Sequence, residues 1–451
     1  MTIVAGALAG CVDEKIVYRD KPLFEDPPQA AVGFLGYSNA DTKQTTCGNC
    51  HAGQQAVWKE SAHANAWEDL QANSHKADTC NDCHTVGPLG NKSTGLVAYA
   101  ATKDPRYEDV QCESCHGAGL EHVGDPSTNA TKPLATMHSG AEMDNGCGEC
   151  HADSHHPFVE EWEGSRHAEV NSHVADRAYN VDYKSCAECH DGKVMMKVRL
   201  GLTNNFVERD DTTKIGVTCV VCHDPHGNGQ HAQLRLQASS HDAATNLCSQ
   251  CHRRNPTPTG GTSRNYPHAA QGLIVFGDVG WRPPGFPTDQ IVTTHGSEAN
   301  GGLCVTCHMA TYAVNATTNT TGHTFEAIPC PNADGGPSNA TDCQMSARSF
   351  KSCVGSGCHG TETAARSAIL ASETRLTSLS TELKRVVLAA RATAKGTADW
   401  KTDTNVTPVE GADFNSQIME HDLSRGAHNP FLVDALLTSS ITYLKSYYGV
   451  Q

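Results

Sequence analysis

The pentapeptide CxxCH occurs eight times in this chain, beginning at Cys47, Cys80, Cys112, Cys147, Cys186, Cys219, Cys248 and Cys304. The fold must bring two thiols and an imidazole together each time, on segments too short to build separate cores. Only 24 residues separate His223 from Cys248. Side chains are a poor source of interior here, because 38% of the 451 residues are hydrophobic, 6% are aromatic, and Gly and Pro together number 60. Such a composition does not readily offset the ordering entropy of a compact chain. Disorder is the usual outcome of that deficit, yet disordered chains are poor in cysteine and this one has 21. Something other than side chains must fill the centre.

CxxCH is the attachment signature of c-type haem. Two thiols bond to the porphyrin vinyl groups, and the adjacent imidazole ligates iron from the proximal side. The eight motifs assign Cys47, Cys50, Cys80, Cys83, Cys112, Cys115, Cys147, Cys150, Cys186, Cys189, Cys219, Cys222, Cys248, Cys251, Cys304 and Cys307 as covalent attachment points. Their proximal ligands are His51, His84, His116, His151, His190, His223, His252 and His308. A ninth site, "CVGSGCH", has four residues between Cys353 and Cys358 and ends in His359. Cys343 is an alternative partner for Cys358, but Cys353 closes the shorter loop. The expectation is about nine covalently bound haem c groups. Zinc would not require a histidine after every second cysteine, and bridges across two residues are usually redox-active rather than structural. Cys330 and Cys343 remain, in a Pro/Asn/Gly-rich loop where a structural disulfide can form in an oxidising compartment.

Nine of the 25 histidines are used in this way, leaving sixteen for nine distal positions. That surplus suits bis-histidine ligation, in which a closed iron carries electrons and binds no substrate. His63 and His167 occupy matched phrases, "WKESAHA" and "WEGSRHA". His122 ends "CESCHGAGLEH", His226 sits in "CHDPHG", and His295 precedes a motif in "TTHGSEANGGLC". His323 closes "CHMATYAVNATTNTTGHTF", and His428 opens "HNPFLVDALL", where Pro430 suits a first helical turn. These seven are the leading distal candidates. His75, His173 and His268 follow, with His231 and His241 behind them. His138, His155, His156 and His421 read as solvated, with His155 or His156 an alternative ligand for a neighbouring haem.

The matched phrases mark an internal duplication. Each copy runs CGxCH, Trp-x-x-Ser-x-His-Ala, a Ser-His pair (Ser74-His75, Ser172-His173) and two further motifs. The division expected is a leader and linker over 1–40, trihaem modules over 41–140 and 141–245, and a diverged trihaem region over 246–360. The last part, 361–451, is a helical hairpin carrying a haem-ligand histidine. In it, Ile369, Leu376, Leu379, Leu383 and Val387 recur at helical spacing. After a polar linker from about Lys395 to Asp413, Val433, Leu437, Ile441 and Leu444 repeat the pattern. The fold class expected is mostly irregular with short α-helices, little sheet, porphyrin faces as core and this C-terminal hairpin.

Taken together, the Trp-x-x-Ser-x-His-Ala phrases, "CESCHGAGLEH", "CHDPHG", "GHTF" and "HNP" resemble the multihaem cytochrome c superfamily over roughly 45–440. That grouping includes hydroxylamine-oxidoreductase-like proteins and surface cytochromes of metal-reducing bacteria, some of them filament-forming. The resemblance implies bis-His haems in close contact, alternating stacked and T-shaped pairs. The four-residue spacing of the ninth site departs from the common pattern and puts His359 in doubt.

Leu8-Ala9-Gly10-Cys11 resembles a lipobox, though the run before it is short and lacks a basic n-region. Cys11 is thus a candidate lipid anchor for an exported protein of the periplasm, the outer-membrane surface or the exterior. A formal charge of −16 argues against nucleic acid. The leading expectation is a non-catalytic electron conduit to other redox proteins or an extracellular acceptor, with homopolymer formation compatible. The alternative is a reductase of nitrogen or sulfur oxyanions with one five-coordinate haem; no CxxCK motif is present.

Overall fold

The computed structural model describes residues 24–139, 145–152, 157–202, 205–260, 266–338, 340–355, 357–400 and 405–451. Cys11, His155 and His156 lie outside the described residues, as does the side chain of His173. Among the described residues, sheet is confined to two antiparallel two-stranded ribbons, Tyr37–Asn39 with Gln44–Thr45 and Cys330–Pro331 with Pro337–Ser338. The second ribbon is closed by a Cys330–Cys343 disulfide.

From 24 to 360 the described chain runs in short helical turns, several of them built on the CxxCH motifs themselves. Cys112–His116 and Cys304–His308 are single α-helical turns, while Cys47–Asn49 and Cys248–Gln250 are 3₁₀ turns. The motif favours this turn because its histidine N–H bonds back to the first cysteine carbonyl. That bond is 2.9 Å at His51, 2.9 Å at His151, 2.8 Å at His223 and 3.1 Å at His252. The ninth site keeps the same closure, His359 N to Cys353 O at 3.3 Å, despite its two extra residues. Cys343 is taken up by the disulfide with Cys330.

Apolar side chains form only small clusters through this region, such as Met137, Met195, Phe206, Ile215 and Val221. One larger cluster lies at the C-terminal end. Helix Glu362–Arg391 contributes Leu376, Leu383, Val386 and Val387, and helix Pro430–Tyr448 contributes Leu432, Val433, Leu436, Leu437 and Leu444. Fully burying each such residue stabilises by roughly 1.5–3 kcal/mol.

The expected polar linker is corrected here. Thr407 and Glu410 form a capping box and Pro408 takes the first turn of a third helix, Pro408–Ser416. Its Val409 and Ala412 are fully buried between the other two helices. A Cβ on Gly411 would stand 2.2 Å from the Trp281 ring, so glycine is required mid-helix for that indole to seat. The hairpin is therefore a small bundle, and Ile274 packs into it.

Candidate metal centres

Eight proximal histidines stand opposite a second imidazole. The ring centroids are 6.4 Å apart for His51–His122, 6.2 Å for His151–His63, 6.2 Å for His116–His226 and 6.4 Å for His190–His268. They are 6.3 Å for His223–His323, 6.3 Å for His252–His167, 6.1 Å for His308–His428 and 6.3 Å for His359–His295. The interplanar angles range from 20° to 72°. Rings in direct contact would draw together when parallel and separate when edge-on. A constant spacing at variable angle instead fits a common body on the line between them. Two imidazoles bound to one metal from opposite sides at about 2 Å per bond have centroids roughly 6 Å apart. Among the described residues, no three His, Cys, Asp or Glu side chains converge on a metal-sized centre, as a tetrahedral zinc site would need.

The tautomer is set for this purpose. Nδ1 lies 2.8 Å from a backbone carbonyl at His84 (Ala66), 2.8 Å at His116 (Pro133) and 2.7 Å at His223 (Ala232). It lies 2.6 Å from one at His295 (Ala427) and 2.8 Å at His308 (Phe325). Donating Nδ1–H to a carbonyl leaves the Nε2 lone pair for iron. Burial lowers the pKa of His63, His116, His252 and His323, and brings His167 and His308 down to about 4. Neutral imidazole is the ligating form.

His428 has a carboxylate partner, as His226 has in Asp224 at 3.3 Å, but a closer and more buried one. Its Nδ1 is 2.6 Å from Oδ1 of Asp422, a carboxylate whose side chain is 1% exposed. No sequence signal singled out Asp422. Phe158 was also missed; its ring is 6.0 Å from His151 and 5.2 Å from His323. Glu161 was a third, accepting from Thr321 N, Thr321 Oγ1 and His323 N at 2.8, 2.7 and 2.8 Å.

All seven leading distal candidates and His268 fall in these pairs. His75 does not: it is exposed on a turn, with its Nδ1 3.3 Å from Ser74 Oγ. His231 is exposed, His241 lies 3.7 Å from Glu298, His138 lies 3.6 Å from Glu208, and His421 stacks on Tyr266. Among the described residues, His84 has no imidazole at the common separation.

The two matched phrases make matched contacts. Trp58 Nε1 donates to the Val110 carbonyl at 2.9 Å and Trp162 Nε1 to the Val217 carbonyl at 2.8 Å. The same valines return N–H bonds to the His63 and His167 carbonyls.

A family model described as cytochrome c554 and c-prime matches residues 46–117, and one for a doubled CXXCH motif matches 213–257. The chain is 28% identical to cytochrome c-554 of Nitrosomonas europaea, over 23% of this chain and 54% of that protein. It is 26% identical to the multiheme cytochrome MtrA of Shewanella baltica, over 40% of this chain and 54% of that one. It thus spans about half the length of these relatives. The crystal structure of the outer cell wall cytochrome OcwA superposes with a TM-score of 0.56 at 18% identity, covering 91% of this chain and all of that one. The chain is a multihaem c-type cytochrome. As in that cytochrome fold, little sheet is present, and the motif cysteines and paired imidazoles fit covalently held haem c. No helix among the described residues of this cytochrome is long and apolar enough to cross a membrane.

Proposed function

We propose that the chain is an exported electron carrier that holds nine haem c groups, each attached by one of the nine cysteine pairs. The observation that carries this reading is the uniform spacing of the eight imidazole pairs. Haem c, when bound, supplies an iron that exchanges single electrons and, with both axial positions closed, reorganises little as it does so. The chain's own residues do the rest. The cysteines fix each group, and the backbone carbonyls orient the imidazoles. The chain's similarity to other multihaem cytochromes supports electron carriage, and the partners proposed are other redox proteins or an extracellular acceptor.

The intact mass of the purified protein should exceed the polypeptide by nine haem masses, and the reduced protein should bind little carbon monoxide. A mass matching the bare chain, or a general carbon monoxide adduct, would overturn the reading. The reductase alternative needs one iron open on its distal side. Steady turnover of nitrite, hydroxylamine or tetrathionate would favour it. Lipidation at Cys11 and homopolymer formation are further proposals, tested by mass spectrometry of membrane fractions and by electron microscopy.

A further inference from the structure

The chain order of the nine sites is not their spatial order. Two kinds of joint recur. In the first, the leading cysteines of two motifs meet: Cys47 with Cys112, Cys147 with Cys219, and Cys248 with Cys304, each within hydrogen-bonding reach. These pairs join site one to three, four to six, and seven to eight. Phe158 reinforces the middle joint, because its ring touches the His151 side of site four and the His323 side of site six.

In the second joint, the distal imidazoles of two sites are held by the same few residues. His63, opposite the site-four ligand, bonds to the carbonyl of Pro225, the residue before His226, which faces the site-three ligand. His295, opposite the site-nine ligand, bonds to the carbonyl of Ala427, the residue before His428, which faces the site-eight ligand. Between these, His167 of site seven packs edge-on against Phe325 at 4.4 Å, and the same ring lies 5.9 Å from His323 of site six. The second joint therefore links three to four, six to seven, and eight to nine. The second motif of each module does something else: Cys83 reaches Cys150 of site four, and Cys189 reaches Cys251 of site seven.

We propose that the attachment sites form a single trunk in the order one, three, four, six, seven, eight, nine, with sites two and five as side branches on four and seven. This rests on the carrier reading above and adds a route to it. The two joints alternate strictly along the trunk, so each module hands on to the next by the second kind of joint, which recurs once more between sites eight and nine. Five of the six distal ligands at second-type joints come from outside the region of the site they serve, His295 being the exception, which makes the modules interdependent in folding. Electrons crossing the length of the molecule then bypass the two branches, which stand as lateral outlets.

The test compares His226→Met, on the trunk at site three, with His268→Met, on the branch at site five, in the holoprotein. Methionine in place of histidine raises a site's potential. A redox titration should show one site moved upward in each variant, with all nine groups still attached by mass. With the first site against one electrode and the ninth against another, the trunk variant should carry about tenfold less current, since each tenfold in population follows from a modest potential step. The branch variant should match the parent to within about twofold on the same scale. Equal losses in both variants, or a loss only in the branch variant, would overturn the order. A holoprotein structure gives a second measurement: nearest neighbours should be one and three, not one and two, and four and six, not four and five. Finding the reverse would refute the trunk while leaving the carrier reading intact; a parent protein without haem would instead defeat the carrier reading.

Discussion

Replacing Asp422 by Asn should raise the reduction potential of the eighth site alone. Asp422 Oδ1 is 2.6 Å from His428 Nδ1, and the carboxylate is 1% exposed, so solvent does little to screen it. A hydrogen bond to a charged acceptor contributes about 1.5–3 kcal/mol, against about 0.5–1.5 kcal/mol for a neutral one. Asparagine keeps the shape and an acceptor oxygen, so the loss is the difference, about 1–1.5 kcal/mol. The lost interaction is stronger in the oxidised state, because the negative carboxylate makes His428 a better donor to the more positive iron. For one electron, at about 59 mV for each tenfold in population, the potential should rise by roughly 40–65 mV. Potentiometric titration followed in the visible spectrum resolves such a shift in one component of nine. Other described Nδ1 partners include backbone carbonyls at His84, His116, His223, His295 and His308. Asp224 is a carboxylate counterpart, 3.3 Å from His226 Nδ1, but it is 25% exposed, so the same change there should move its site less. An unchanged or lowered potential, with every haem retained, would refute the reasoning.

Glu161→Gln should weaken the three bonds that hold Thr321 and His323, by about 1–3 kcal/mol locally; a carbon-monoxide-binding, high-spin fraction at site six is the expected readout. Glu113, 2% exposed, has its pKa pushed up to about 7 by burial, against the pull of N–H donors from Leu35, Gly36 and Gly119. The folded state then holds this proton where the unfolded state has released it, so its contribution to stability is present below about pH 4.5 and is lost as pH rises to about 7, at no more than ~1.4 kcal/mol per pH unit. Denaturation midpoints across that window should fall with pH in the parent and less steeply in Glu113→Gln. Leu383→Ala removes a fully buried side chain from the C-terminal bundle and should cost about 2–5 kcal/mol of stability, measured by thermal melting, with the visible spectrum unchanged.

Much of the site was legible because covalent chemistry leaves a fixed spacing. Each CxxCH names its own proximal histidine, and the surplus histidines lay in recognisable phrases. His63 and His167 could be matched to each other from the repeated tryptophan and serine. Which iron each serves was not legible, because the partner comes from another module: His63 faces His151, and His226 faces His116. No local pattern encodes contacts of that range. His268 ranked low because it lies in no matched phrase. Asp422 was invisible for a different reason, since an acidic residue six positions from a histidine is common and only the turn at Leu423–Gly426 folds it back. The linker near Lys395 to Asp413 read as polar because the part of its helix inside those bounds buries only two small apolar side chains, Val409 and Ala412, while Gly411 lowered its apparent helix propensity.

The most direct measurement is near-infrared magnetic circular dichroism of the oxidised holoprotein, with iron counted against protein. The account predicts at least eight irons per chain carrying two imidazoles each. A colourless protein, stoichiometric zinc, or a majority of irons with a single histidine would contradict it.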